Sequence, residues 1–183
     1  VPFLVYWKGK IEGGKLFHHP VISLDVAATA VALAGLPKDP KLDGVNLLPY
    51  LRDRSRGAPH DALFWRWIAQ SAIREGKWKF LRGGEREYLF NVEVDREEKR
   101  NLLKQNPKIA ERLKAKLQTW SKELSPPGLT TKKMSPTWEK YYDHYLDGKP
   151  APPPTINRTK PNSIQGWLAR NCIATINKGV LEV

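Results

Sequence analysis

Two side chains in the run PHDALFWRW are of the right type to meet an anion. His60 and Arg66 can each donate charge-assisted hydrogen bonds to an anionic ester or a carboxylate. For His60, capping or packing is the competing role. For Arg66, flanked by Trp65 and Trp67, it is stacking on a ring. The pair His18-His19 suggests a metal. On a strand, however, adjacent side chains point to opposite faces, and no acidic or cysteine partner lies at ligand spacing. Arg52, Arg54 and Arg56 crowd around Asp53, which a solvated loop explains. Asp25 falls in the first turn of an expected helix, where a carboxylate is favoured, and needs no catalytic role. Asn157-Arg158-Thr159 matches a glycosylation acceptor by pattern only. Cys172 is the single cysteine, so no internal disulfide can form.

The elements that must position these residues fit one ordinary domain, or a small domain with an extension. The chain has 183 residues, 40% of them hydrophobic, and seven tryptophans, which is enough for a core. The net charge of +12 raises the question of an anionic partner, but no basic block is long and unbroken, so a solvated surface accounts for it. A basic module binding nucleic acid or another polyanion is the reading from a different class. Against it, the tryptophans fall at core phases of strands and helices. Neither a nucleic-acid nor a membrane partner is therefore expected. No apolar run approaches the ~20 residues of a membrane helix.

Leu63 to Asn101 reads as an antiparallel meander of three short strands and two turns, followed by an acidic loop. Over 72–81, the alternation puts Ala72, Arg74, Trp78 and Phe80 on one face and Ile73, Lys77, Lys79 and Leu81 on the other, with a turn at Glu75-Gly76. Val1–Trp7, apolar on both faces, reads as a strand within a larger sheet. Ser23–Gly35 reads as a helix capped by Ser23, with a small-residue surface for packing on a sheet. Asn106–Leu124 reads as a helix capped by Asn106, with Pro107 in its first turn and Ile109, Leu113, Leu117 and Trp120 along one stripe. The aromatic group Trp138, Tyr141, Tyr142 and Tyr145 suggests a short docked helix. A Pro-rich linker at 151–154 and a terminal hairpin turning at Asn177-Lys178-Gly179 follow.

The pattern LFWRW, AIREGKWK and EYLFNVEVDREEKRNL resembles the C-terminal subdomain of the sulfatases. That family has an acidic turn of the form D-x-x-E-x-x-N-L, matched here by Asp95, Glu98, Asn101 and Leu102. VPFLVYWKGKIEGG, SLDVAATAVALAG and DGVNLLPYL match further blocks in the family's order, so the resemblance covers residues 1–125. It implies an α/β chain, more narrowly an α+β fragment. Residues 1–59 would end a large α/β domain, 60–125 would form a small antiparallel sheet packed by a helix, 126–155 a tail and linker, and 156–183 the start of a further β-sandwich domain.

The resemblance also implies sulfate-ester hydrolysis by a formylglycine, made from Cys or Ser in a C/S-x-P/A-x-R motif, with a divalent metal, usually calcium. A phosphoester or phosphonate hydrolase of the same superfamily would share the strand pattern. Cys172, in RNCIAT, has Ala174 at the Pro/Ala offset but no Arg two residues further on, and no Asp-Asn pair of the metal-binding kind occurs. Catalytic and metal residues are thus expected on a missing N-terminal catalytic domain, and the chain alone is expected to have no turnover. In this family the C-terminal subdomain forms one rim of the substrate cleft. His60, Arg66 and Arg74 are then the candidate contacts to a sulfated small molecule or polysaccharide. A parent enzyme acting on such substrates would be periplasmic or secreted.

Overall fold

The computed structural model describes residues 3–126, 134–150, 175–177 and 180–182. The chain divides into two compact units, Val1–Lys149 and Pro150–Val183. In the second, Thr175–Asn177 and Val180–Glu182 form an antiparallel pair with Asn177 opposite Val180, and the expected turn between them lies outside the described residues. Of the expected linker and β-sandwich start, only this pair lies within the described residues.

The first unit is built on a four-stranded antiparallel meander in simple sequence order: β1 (Leu63–Trp67), β2 (Gln70–Glu75), β3 (Trp78–Gly83) and β4 (Arg86–Asn91). Four strands replace the expected three because Gly76-Lys77 is a complete two-residue turn, with Glu75 paired to Trp78. Gly76 adopts φ 54°, which the mirror-image hairpin turns require at their first central position. That turn also reverses the parity of the faces. Ile73 lies opposite Phe80, and Phe80 opposite Leu89, so these three share the inner face. Ala72 and Arg74 face outward and do not share a face with Trp78 and Phe80.

Helix α3 (Pro107–Glu123) lies across the inner face, and its stripe forms the core with the sheet. Ile73, Phe80, Leu89, Leu113 and Leu117 are buried there, with Phe64 stacked on Trp120 at 5.1 Å between centroids. Asn106 stands at the start of α3, but its side chain makes no capping bond. It turns back instead and donates Nδ2–H to Leu102 O at 3.4 Å.

The outer face is covered along β3–β4 by α4 (Pro136–Tyr141) and a π-helical turn, Tyr142–Leu146. Tyr142, 1% exposed, packs on Tyr88 and Phe90 and donates its hydroxyl to Gln70 Oε1 at 3.1 Å. The tail is pinned further by Tyr88 OH to Asp147 at 2.9 Å and by Arg86 between Asp143 and Asp147. Burial pushes the Tyr142 phenol up to about 12.

The N-terminal part departs further from expectation. Residues 3–7 pair with none of the described strands, and neither α1 (Leu24–Leu33) nor the single turn α2 (Leu48–Leu51) makes more than slight contact with them. Leu24, Val26 and Leu33 are each about half exposed, and Asp25 is the only buried residue of α1. A strand needs a neighbour to bond and an apolar helix face needs a sheet to cover, and among the described residues neither partner is present. Ser23 makes no capping bond.

Candidate functional site

Asp25 is wholly buried, and each of its oxygens is satisfied. Oδ2 accepts from Ile22 N at 2.9 Å, holding the residues just before the helix against its first turn. Oδ1 accepts from Val45 N at 2.9 Å and lies 2.8 Å from His60 Nε2. The segment after Asp43 must pass close to α1 for this to happen. Gly44 allows it, since a Cβ there would stand 2.2 Å from Leu24 O. One carboxylate therefore ties together the start of α1, the 43–48 loop and the entry to β1. His60, its side chain 10% exposed, serves that tie.

The D-x-x-E-x-x-N-L residues perform a similar task at the other end of the meander. Asp95 accepts from Lys99 N and Arg100 N at 3.1 and 2.8 Å, closing the acidic loop. Glu98, at φ 58°, takes the Lys79 ammonium on both oxygens, at 2.6 and 2.8 Å. Asn101 Oδ1 accepts from Leu89 N at 3.0 Å and Leu103 N at 3.1 Å, and Leu102 N donates to Leu89 O at 2.7 Å. The motif supplies β4 with the edge partner it otherwise lacks.

Arg66 lies on the inner side of β1 and donates Nη2–H to Ser125 O at 2.7 Å, just beyond α3. Arg74 lies on the outer side, and among the described residues its one hydrogen bond is a long one to Gly76 O at 3.3 Å. The three candidate residues thus occupy three different places: His60 on Asp25, Arg66 at the end of α3, and Arg74 facing an open concavity.

That concavity measures about 1160 Å³ and lies on the part of the outer face that the tail helix leaves bare. Three segments converge on it: His18-His19 from the N-terminal loop, Trp65, Trp67, Arg74 and Lys77 from the strands and their turn, and Glu93, Arg96 and Glu98 from the acidic loop. Trp65 is 40% and Trp67 59% exposed. The expectation that the tryptophans sit at core phases holds for Trp78 and Trp120 and fails for these two. Hydropathy could not separate them, because Trp65 and Trp67 alternate with Phe64 and Arg66 on a strand with aromatic residues on both faces. Among the described residues no three His, Cys, Asp or Glu side chains cluster in a way that could hold a metal ion. Cys172 lies outside the described residues.

A four-stranded antiparallel meander, packed by one helix and braced by an acidic Asn-containing loop, defines a mixed α/β subdomain of the kind found at the C-terminal end of sulfatases. No protein-family model matches the chain. It is 34% identical over 103 residues to the uncharacterized sulfatase YdeN of Escherichia coli K12, covering 51% of this chain and 18% of that one. It is 34% identical over 118 residues to the choline-sulfatase of Rhizobium meliloti, covering 59% of this chain and 22% of the other. The solved structure of Ps i-CgsB superposes with a TM-score of 0.59 at 27% identity, over 75% of this chain and 32% of that one. By sequence and by fold, the chain is similar to the C-terminal portion of sulfatases. It spans about a fifth of the length of these two curated relatives.

Proposed function

We propose that this chain is the C-terminal, substrate-facing part of an enzyme that hydrolyses sulfate esters by a formylglycine nucleophile assisted by a calcium ion. The observation that carries the reading is the 34% identity to the sulfatase YdeN over 103 residues, a stretch that includes more than half of this chain. The residues of this chain do not fit either group. None of its sequence matches C/S-x-P/A-x-R, and no acidic cluster among the described residues suits a divalent cation. The nucleophile and the metal ligands therefore belong to other parts of the same polypeptide, and this chain contributes a rim to the substrate cleft.

On that rim Arg74 is the candidate contact with most of its donors uncommitted among the described residues. The guanidinium is permanently charged, and its fork of N–H groups matches the oxygens of a sulfate ester. His60 and Arg66 hold the rim in place from behind. The structural relative Ps i-CgsB was also solved with k-i-k-neocarrahexaose, which supports a carbohydrate sulfate over a simple aryl sulfate as the substrate.

The test starts with the coding sequence on both sides of Val1–Val183. The expected result is a Cys- or Ser-x-Pro-x-Arg block and an Asp-Asn pair upstream. The complete product should then release sulfate from a sulfated oligosaccharide, and substituting Ala for that Cys or Ser should abolish release. A complete product that lacks both blocks, or that has them and releases no sulfate, overturns the reading.

A further inference from the structure

We propose that the concavity on the bare outer face is a subsite for a sulfated pyranose oligosaccharide, with Trp65 and Trp67 as its stacking platform and Arg74, Lys77 and Arg96 as its anion contacts. This rests on the sulfatase reading and extends it, because a platform serves a chain of sugars and not an isolated ester group. Trp65 and Trp67 are two residues apart on β1, so their side chains rise from the same face about 7 Å apart. Burying aromatic rings is the ordinary outcome of folding, and this sheet has a helix on each side of it that could have covered them. Yet α3 takes the inner face and the tail helix takes β3–β4, which leaves these two indoles 40% and 59% exposed.

The charges around the platform suit the same ligand. Lys79 is committed to Glu98. Among the described residues Arg74, Lys77 and Arg96 have no carboxylate partner, and with the exposed His18 and His19 they leave Glu93 as the lone unpaired acid of the concavity. Exposed indoles ringed by unpaired cations hold a ligand that has apolar faces and scattered negative charge. A sulfated sugar presents C–H faces to the rings and sulfate oxygens to the cations. A single-stranded nucleic acid has a comparable chemistry, with bases on the rings and phosphates on the cations. The sugar is favoured because the chain resembles a protein solved with a hexasaccharide at 27% identity.

The experiment titrates the 183-residue chain with a carrageenan hexasaccharide, its desulfated counterpart and a single-stranded hexanucleotide, following tryptophan fluorescence. The sulfated sugar should bind, and the desulfated one should bind at least about tenfold more weakly. Trp67→Ala and Arg74→Ala should each weaken binding about tenfold, and Arg74→Ala should also flatten its salt dependence. Arg112→Ala, on the far side of the sheet, should leave binding unchanged. Equal binding of both sugars, unchanged binding in Trp67→Ala and Arg74→Ala, or tighter binding of the hexanucleotide would each overturn the subsite. A denaturation midpoint that Trp67→Ala lowers more in the complete sulfatase than in the 183-residue chain would also do so, because it would mean that polypeptide covers the ring. The complete sulfatase separates this outcome from failure of the parent reading. If it turns over a small aryl sulfate while both substitutions leave the hexasaccharide unaffected, only the subsite fails.

Discussion

His60 Nε2 stands 2.8 Å from Oδ1 of Asp25, a carboxylate with no exposed surface. The two residues are 35 positions apart, and between them the chain leaves α1, passes over it at Gly44 and turns into the meander. A histidine and an aspartate in contact invite a catalytic interpretation. Here the carboxylate also accepts from Ile22 N and Val45 N, and the imidazole is mostly enclosed, so the pair serves as a joint between α1 and the sheet.

Removing the two halves of that joint should have unequal effects. Asp25→Ala strands two backbone amides and the imidazole, and should cost about 3 kcal/mol or more in chemical denaturation. His60→Ala leaves the carboxylate its two amide donors and should cost about 1–2 kcal/mol. If His60→Ala left stability intact and weakened binding of a sulfated sugar, the histidine would be a substrate contact after all.

Gly83 is where the tail helix meets the sheet. A Cβ there would lie 2.3 Å from Cε1 of Tyr142, so Gly83→Ala should expel the Tyr142 ring without disturbing the opposite core. The expected result is faster proteolytic cleavage between Pro136 and Lys149, while amide protection of β2 and β3 is retained. Equal loss of protection in both places would mean that the tail and the sheet are one cooperative unit.

The course of the meander shows why some of this was legible in the sequence and some was not. Strand residues and α3 declare themselves by composition and periodicity, and Ile109, Leu113, Leu117 and Trp120 pack as their spacing requires. The faces of β3 do not, because paired residues flanking a two-residue turn are three positions apart and share a face. Alternation counted straight through Gly76-Lys77 therefore assigns Trp78 and Phe80 to the wrong side. The caps fail for another reason: Ser23 and Asn106 have the right type and position, but the amides of Asp25 and Val26 donate to Ile22 O and Ser23 O, and Asn106 finds a carbonyl behind it. Arg74 could be named as a candidate, but the exposure of its neighbours Trp65 and Trp67 could not, since only the packing decides which ring stays bare.

Asn101 is the residue of the acidic motif whose removal should hurt most. Its Oδ1 accepts from both Leu89 N and Leu103 N, and Leu89 is fully buried. Asn101→Ala should therefore cost about 2 kcal/mol and increase hydrogen exchange at Leu89 and Leu102 selectively. Asn101→Asp keeps the acceptor and should recover most of that loss. No recovery would show that the Nδ2 bond to Glu87 O, long at 3.3 Å, matters more than its length suggests.

Glu75 gives the inner face its pH dependence. Partial burial works against its ionisation, but hydrogen bonds from Lys116 and Arg112, then their charges, outweigh it and hold the carboxyl below its ordinary value of 4.5. A carboxyl lowered by folding stabilises the fold above its unfolded value, and the contribution is lost as pH falls through the folded one. Arg112 and Lys116 are nearly half exposed, so solvent screens both pairs and the contribution should be about 1 kcal/mol. Glu75→Gln should therefore be less stable than the parent by about that amount at neutral pH. The gap should close as pH falls below 4.5, and it should shrink in high salt at any pH above that. A gap that stayed constant across this range would mean that Glu75 holds α3 by the shape of its hydrogen bonds and not by its charge.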